Sequence, residues 1–150
     1  FVVALPATAA ATATDGAGTI DRVRPVSPKA ILVVDDEPDI AATIVETLVH
    51  DGHKVDMAAN GAEALAHLES RSYDLIFTDT KMPRMDGPAF YKVLVRRLPA
   101  LARRVVFVTG DLMDREKREW LESTGCLVLA KPFDVNDVRR AVQRVLEVTA

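Results

Sequence analysis

The chain has 150 residues, with 19 Lys and Arg against 22 Asp and Glu and a formal net charge of −3. Apolar residues make up 49% and charged residues 27%, which excludes a disordered, collagen-like or disulfide-stapled chain and suffices for one core. The acidic balance is not that of a DNA-binding module, whose footprint is a strongly basic face, and Cys126, the single cysteine, rules out an intrachain disulfide.

Residues 1–6, FVVALP, read as the end of a strand belonging to an upstream domain. They lack a basic stretch before the apolar run, and the run stops at Pro6, so they do not read as a signal peptide. The missing initiator Met points to a chain cut from a longer protein. Residues 7–28 are Ala/Thr-rich, then contain Asp15-Gly16-Ala17-Gly18 and Pro25 and Pro28. With so few large apolar side chains they cannot offset their ordering entropy and read as a flexible linker. Residues 29–150 form the one folded domain expected, and no run in them reaches the length of a membrane-spanning helix.

In that domain, buried strands alternate with helices. AILVVD (30–35) is a continuous apolar run of the kind covered on both faces in a parallel sheet. Pro38 suits a first helical turn, with Asp36 or Glu37 as its cap, and Ile40, Ile44, Leu48 and Val45, Val49 continue a stripe to about His50. Asp51-Gly52 stops this helix, and KVDMA (54–58) is a second strand. Asn60 and Glu63 have the spacing of a capping box for a helix carrying Leu65 and Leu68. DLIFT (74–78) is the third strand, followed by the loop KMPRMDG and a helix with Phe90, Leu94 and Leu98 on one stripe. RVVFVT (104–109) is the fourth strand, residues 112–123 a weakly amphipathic helix, and LVLA (127–130) the fifth strand. The last helix starts at Asp134 and presents Val135, Val138, Val142, Val145 and Leu146 to the core. Five strands and five helices in strict alternation predict a doubly wound α/β domain with a parallel sheet. Arg96, Arg97, Arg103 and Arg104 read as a solvated rim, and His50, His53 and His67 as surface residues without metal-ligand spacing.

Open α/β sheets bind ligands beyond the carboxyl ends of their strands. Asp35 and Asp36 end the first strand, Asp79 follows the third, Thr109 ends the fourth and Lys131 follows the fifth. Each alone has a structural reading: a helix cap for Asp36, turns for Asp79 and Thr109, an exposed cation for Lys131. Crowded together, three carboxylates repel and raise each other's pKa unless cations neutralise them. Lys131 supplies one positive charge, and an all-oxygen set with open positions suits Mg2+, which also accepts a phosphoryl oxygen. The edge therefore reads as a place for a phosphoryl group beside a carboxylate, and carboxylates form aspartyl phosphates.

VVDDEP (33–38), DLIFTDTKMPRMDG (74–87), VVFVTG (105–110) and AKPF (130–133) together resemble the receiver domain of bacterial two-component response regulators over about residues 29–148. The resemblance implies a flavodoxin-like sheet in the order 2-1-3-4-5. It implies Asp79 as phosphoacceptor, with Mg2+ held by Asp36, Asp79 and the Lys81 backbone carbonyl, and Asp35 acting through a metal-bound water. Thr109 would hydrogen-bond the phosphoryl group and Lys131 would pair with it, aimed by a cis peptide before Pro132. The output face would be helix 112–123, strand 127–130 and helix 134–147. The implied partners are a histidine-kinase dimerisation and phosphotransfer domain, in the same or another chain, and a downstream phosphotransfer protein. A weak homodimer is compatible with this reading, whereas nucleic acid and membrane contact by this segment are not implied. The location implied is cytoplasmic.

Two features depart from the pattern. Val128 stands where the family usually places an aromatic residue, and the stretch from Gly125 to Lys131 is one residue short. That stretch resembles receivers fused to the C-terminus of histidine kinases, and FVVALP resembles the closing strand of a histidine-kinase ATP-binding domain. The order of kinase end, linker and receiver predicts a hybrid histidine kinase. Lys81 and Asp111 flank the site, either as two solvated charges or as an ion pair that hinders attacking water. Competing readings are a phosphatase or phosphotransferase using Asp79 as covalent intermediate, and a pseudo-receiver that docks partners without phosphorylation. The first lacks residues for a cap domain, and the intact set Asp35, Asp36, Asp79, Thr109 and Lys131 argues against the second.

Overall fold

The five apolar runs become β1 (Ala30–Val34), β2 (Lys54–Ala58), β3 (Leu75–Asp79), β4 (Val105–Thr109) and β5 (Leu127–Ala130). They form one parallel sheet in the order β2-β1-β3-β4-β5, the flavodoxin-like order. This computed structural model describes residues 27–149, so the strand expected at residues 1–6 and the linker up to residue 26 lie outside the described residues.

The helices are α1 (Pro38–His50), α2 (Gly61–Ser70), α3 (Gly87–Arg97), α4 (Pro99–Ala102), α5 (Arg115–Thr124) and α6 (Val135–Thr149). The sequence predicts five; the sixth is α4, a single turn. Its origin is Pro99, which has no N–H to continue α3 but whose fixed φ suits the start of a new turn. Leu98, expected on the α3 stripe, ends that helix instead and is 40% exposed.

Alternate strand residues feed two cores. Ile31, Val33, Phe77, Val106 and Val108 meet Ile44 and Leu48 of α1 and Val138 and Val142 of α6. Leu32, Val34, Ile76, Val105 and Phe107 meet Ala64 of α2, Phe90 and Leu94 of α3, and Leu121 of α5. Every residue of β3 and β4 is buried, as continuous apolar strands covered on both faces should be. Phe77, Phe90 and Phe107 are fully buried, and each contributes about 1.5–3 kcal/mol by leaving water.

Short-range chemistry sets the element ends. Asp86 and Asp114 accept the N–H groups of Ala89 and Lys117 and so start α3 and α5. Asp134 and Asp137 satisfy each other's backbone N–H at the start of α6. Asn60 accepts from the Glu63 N–H as expected, but the Glu63 carboxylate closes on Ala59 rather than on Asn60. The α1 cap is Glu37, and its side chain makes no capping bond; the Asp35 carboxylate takes the Glu37 N–H.

Two expectations about burial are corrected. Val135, the first residue of α6, is 41% exposed rather than in the core. His53 is buried, and its Nδ1 accepts the Lys29 N–H at 3.0 Å where β1 and β2 begin. Burial depresses its pKa.

Candidate functional site

Parallel strands share one carboxyl edge, and the order of this sheet reverses between β1 and β3. Val34 pairs with Thr78, so the next residues, Asp35 and Asp79, stand side by side across that switch point. Asp36 follows immediately, and oxygens of Asp35, Asp36 and Asp79 all lie within 4.8 Å of one another. Asp35 and Asp79 are buried and Asp36 is exposed.

Asp35 is held by one oxygen only. Its Oδ1 accepts the Glu37 N–H at 2.8 Å, whereas its Oδ2 is buried with no hydrogen-bond partner among the described residues. Burial pushes the Asp35 carboxyl up to about 6; the Glu37 N–H opposes this and the Asp79 charge adds to it. An orphaned buried oxygen within a cluster of three carboxylates is a donor set short of positive charge. A hard divalent cation with oxygen preference fits it.

Asp79 Oδ1 accepts the N–H of Thr80 at 2.7 Å. Its other oxygen, Oδ2, lies 3.6 Å from Lys131 Nζ, which also reaches Glu37 Oε1 at 2.9 Å. Burial works against the Lys131 charge, but the Glu37 hydrogen bond and the charges of Asp79, Asp35 and Glu37 outweigh it and raise the pKa. The Lys131–Pro132 peptide is cis. Thr109 is buried; its Oγ1 accepts the Asp111 N–H at 3.1 Å and a bond from Thr80 Oγ1 at 3.4 Å.

The loop after Asp79 folds back tightly. Gly87 N–H donates to the Thr80 carbonyl at 3.1 Å, and a Cβ on Gly87 would stand 2.6 Å from the Asp79 carbonyl oxygen. Within this loop Arg84 adopts φ +67°, a left-handed conformation disfavoured for a side chain with a Cβ.

Lys81 and Asp111 form an ion pair at 3.2 Å, with the Lys81 side chain 74% exposed, so the two charges are paired and also solvated. The same Asp111 oxygen also contacts Lys117 Nζ at 3.3 Å. Hydrogen bonds from Lys81 and then Lys117 hold the Asp111 carboxyl below its usual range. The cavity of about 320 Å³ at this edge is lined by Asp36, Asp79, Lys81, Thr109, Lys131 and also by Glu37, Thr80, Asp111 and Lys117. The sequence reading assigns Glu37, Thr80 and Lys117 no role in the site. Glu37 reads only as a cap, and Lys117 sits in a helix with charged neighbours on both sides, where nothing marks it.

The family model for the response regulator receiver domain matches residues 31–143. The chain is similar to sporulation initiation phosphotransferase F of Bacillus subtilis, 34% identical over 122 residues that cover 77% of this chain and 92% of that protein. It is also similar to response regulator Rre1 of Synechocystis, 34% identical over 121 residues, 79% of this chain and 52% of that protein. A solved sensor protein from Polaromonas superposes with a TM-score of 0.72 at 28% identity, covering 83% of this chain and 100% of the other. The chain thus spans about half the length of Rre1. Among the described residues, no helix is long and apolar enough to cross a membrane.

Proposed function

The chain belongs to the response regulator receiver domain family of two-component signal transduction, and on that premise we propose that Asp79 takes a phosphoryl group from a phosphohistidine. The observation that carries this reading is the setting of Asp79: buried at the switch point, beside Asp35 and Asp36, with Lys131 Nζ 3.6 Å from its Oδ2. An Asp79 oxygen attacks phosphorus, the P–N bond to the donor imidazole breaks, and the bonding pair leaves on that nitrogen. The product is an acyl phosphate on Asp79. Lys131 offsets charge on the transferring oxygens, so the catalysis lies in positioning and electrostatics. The Thr109 hydroxyl reorients from its present partners to donate to a phosphoryl oxygen. Asp36, Asp79 and the Lys81 carbonyl would hold Mg2+, with Asp35 behind them; that ion neutralises phosphoryl charge when bound.

The added charge of about −1.5 to −2 biases the face made by α5, β5 and α6, which serves as output. The donor is a histidine-kinase phosphotransfer domain, and a downstream phosphotransfer protein is a fitting acceptor. A weak homodimer is compatible with this assignment. The chain is read as the receiver of a hybrid histidine kinase at the cytoplasmic side. FVVALP followed by an Ala/Thr linker supports this. A parent gene without an upstream kinase domain would reject the hybrid assignment.

Intact mass after incubation with Mg2+ and acetyl phosphate tests the acceptor. The chain is expected to gain one phosphoryl group and Asp79→Asn none. No gain in the parent, with Mg2+ shown to bind, would overturn the reading in favour of a pseudo-receiver.

A further inference from the structure

Lys117 lies in the first turn of α5, where Arg115, Glu116, Arg118 and Glu119 are all exposed. Its own side chain is 14% exposed and turns inward to line the cavity that Asp79, Thr109 and Lys131 also line. A lysine ordinarily keeps its ammonium in water, so an inward one on a polar helix needs an anion to face. Here the anion is Asp111, 3.3 Å away, and Asp111 is already shared with Lys81 at 3.2 Å. Two ammonium groups thus divide one carboxylate. Lys81 is 74% exposed and well screened by solvent, whereas Lys117 is not.

The helix that carries Lys117 is lightly anchored. Leu121 is its one fully buried side chain, and Trp120 packs edge-on against Phe107 at 5.3 Å and Tyr91 at 5.9 Å. Its first turn is fixed locally by the Asp114 carboxylate on the Lys117 N–H. The start of α5 therefore has few core side chains to resist a displacement, and the aromatic contacts lie one turn on.

We propose that Lys117 is a phosphoryl-binding arm: when Asp79 carries a phosphoryl group, the Lys117 ammonium leaves Asp111, pairs with the phosphoryl oxygens alongside Lys131, and draws α5 toward the site. This deepens the acceptor reading of Asp79 and rests on it. A phosphoryl group of charge about −1.5 to −2 outcompetes half of one carboxylate. Lysine suits the task because its four-carbon stem swings a compact charge through a short arc. Asp111 keeps Lys81 after the exchange, so no buried charge is left unpaired.

Trp120, the only tryptophan of the chain, reports on the step from within α5. The full chain, Lys117→Met, Lys117→Arg and Asp111→Asn are treated with Mg2+ and acetyl phosphate; mass gives phosphoryl occupancy and Trp120 emission gives the response. The parent and Lys117→Arg are expected to gain the group and shift emission. Lys117→Met is expected to gain it with the emission change cut roughly fivefold and the acyl phosphate half-life altered. Asp111→Asn should keep the emission response, since the arm pairs directly with the group. An undiminished response in phosphorylated Lys117→Met overturns the proposal. So does loss of the response in Asp111→Asn, which would route it through Asp111, or a phosphorylated parent whose emission does not move. If the parent gains no phosphoryl group, the acceptor reading fails first and this inference falls with it.

Discussion

Replacing Asp35 with Asn is expected to make the metal-free protein more stable and to abolish most of its response to Mg2+. Burial holds the Asp35 carboxyl at about 6, from an ordinary 3.8, and its Oδ2 has no partner among the described residues. Between those two values the native state binds more protons than the unfolded chain, so this group lowers stability as pH rises through that window. Above about pH 6 its cost is constant. At about 1.4 kcal/mol per pH unit the full cost is about 3 kcal/mol. Asn at this position keeps an Oδ1 acceptor for the Glu37 N–H and places an amide donor in the carboxylate cluster. Urea unfolding of parent and variant, with chelator, then gives a difference curve. The variant should gain about 2–3 kcal/mol near neutral pH, the gain should grow from about pH 4 to 6, and it should flatten above. Mg2+ at about 100 times its Kd should stabilise the parent by about 2.7 kcal/mol and the variant far less. A difference curve that is flat with pH, or a variant no more stable than the parent at neutral pH, would refute the reasoning.

His53 acts with the opposite sign of slope. Burial lowers its pKa below the ordinary 6.5, so the unfolded chain binds more protons and stability is lost as pH falls below that value. His53→Asn should flatten this acid limb in urea midpoints taken across the same range, whatever constant offset it adds. Gly87→Ala drives a Cβ to 2.6 Å from the Asp79 carbonyl and should cost about 1–3 kcal/mol and slow phosphoryl uptake. Gly61→Ala places its Cβ nearest the Met85 side chain, 2.7 Å from Cγ and 2.9 Å from Sδ, where Gly87→Ala meets backbone, so thermal unfolding should rank it above Gly87→Ala. Arg139 clasps Asp51 with bonds of 2.8 and 3.0 Å, joining α6 to the end of α1, and the Asp51 hydrogen bond raises the Arg139 pKa. Arg139→Ala should lose about 1 kcal/mol, more at low salt than at high salt, in the same unfolding assay.

The strands were legible because a parallel strand covered on both faces reads as a near-continuous apolar run, and β1, β3 and β4 are such runs up to the polar residues at the carboxyl ends of β3 and β4. Cap chemistry marked the starts at Asn60 and Asp134, whereas the Asp114 cap, which starts α5 at Arg115 rather than at the expected residue 112, was not read from the sequence. Alternation then forces the strand ends onto one edge. Asp35, Asp36, Asp79, Thr109 and Lys131 could therefore be grouped before any distance was known. Their chemistry lies at positions that the hydrophobic pattern itself marks.

What the tertiary structure decided are contacts between residues far apart in sequence whose side-chain direction no local pattern sets. Lys131 pairs with Glu37 across 94 positions, and His53 sits under the Lys29 N–H across 24. The edge-to-face contacts of Tyr91, Phe107 and Trp120 join α3, β4 and α5. Lys117 turns into the site while its neighbours face solvent, because the rotation of α5 is set by Leu121 entering the core. The sequence by itself determined the layers, the strand order by resemblance, and which residues meet at the carboxyl edge, since those rest on period and polarity along the chain. Which ammonium faces which carboxylate depends on helix rotation and reach, and these are settled only when the elements pack.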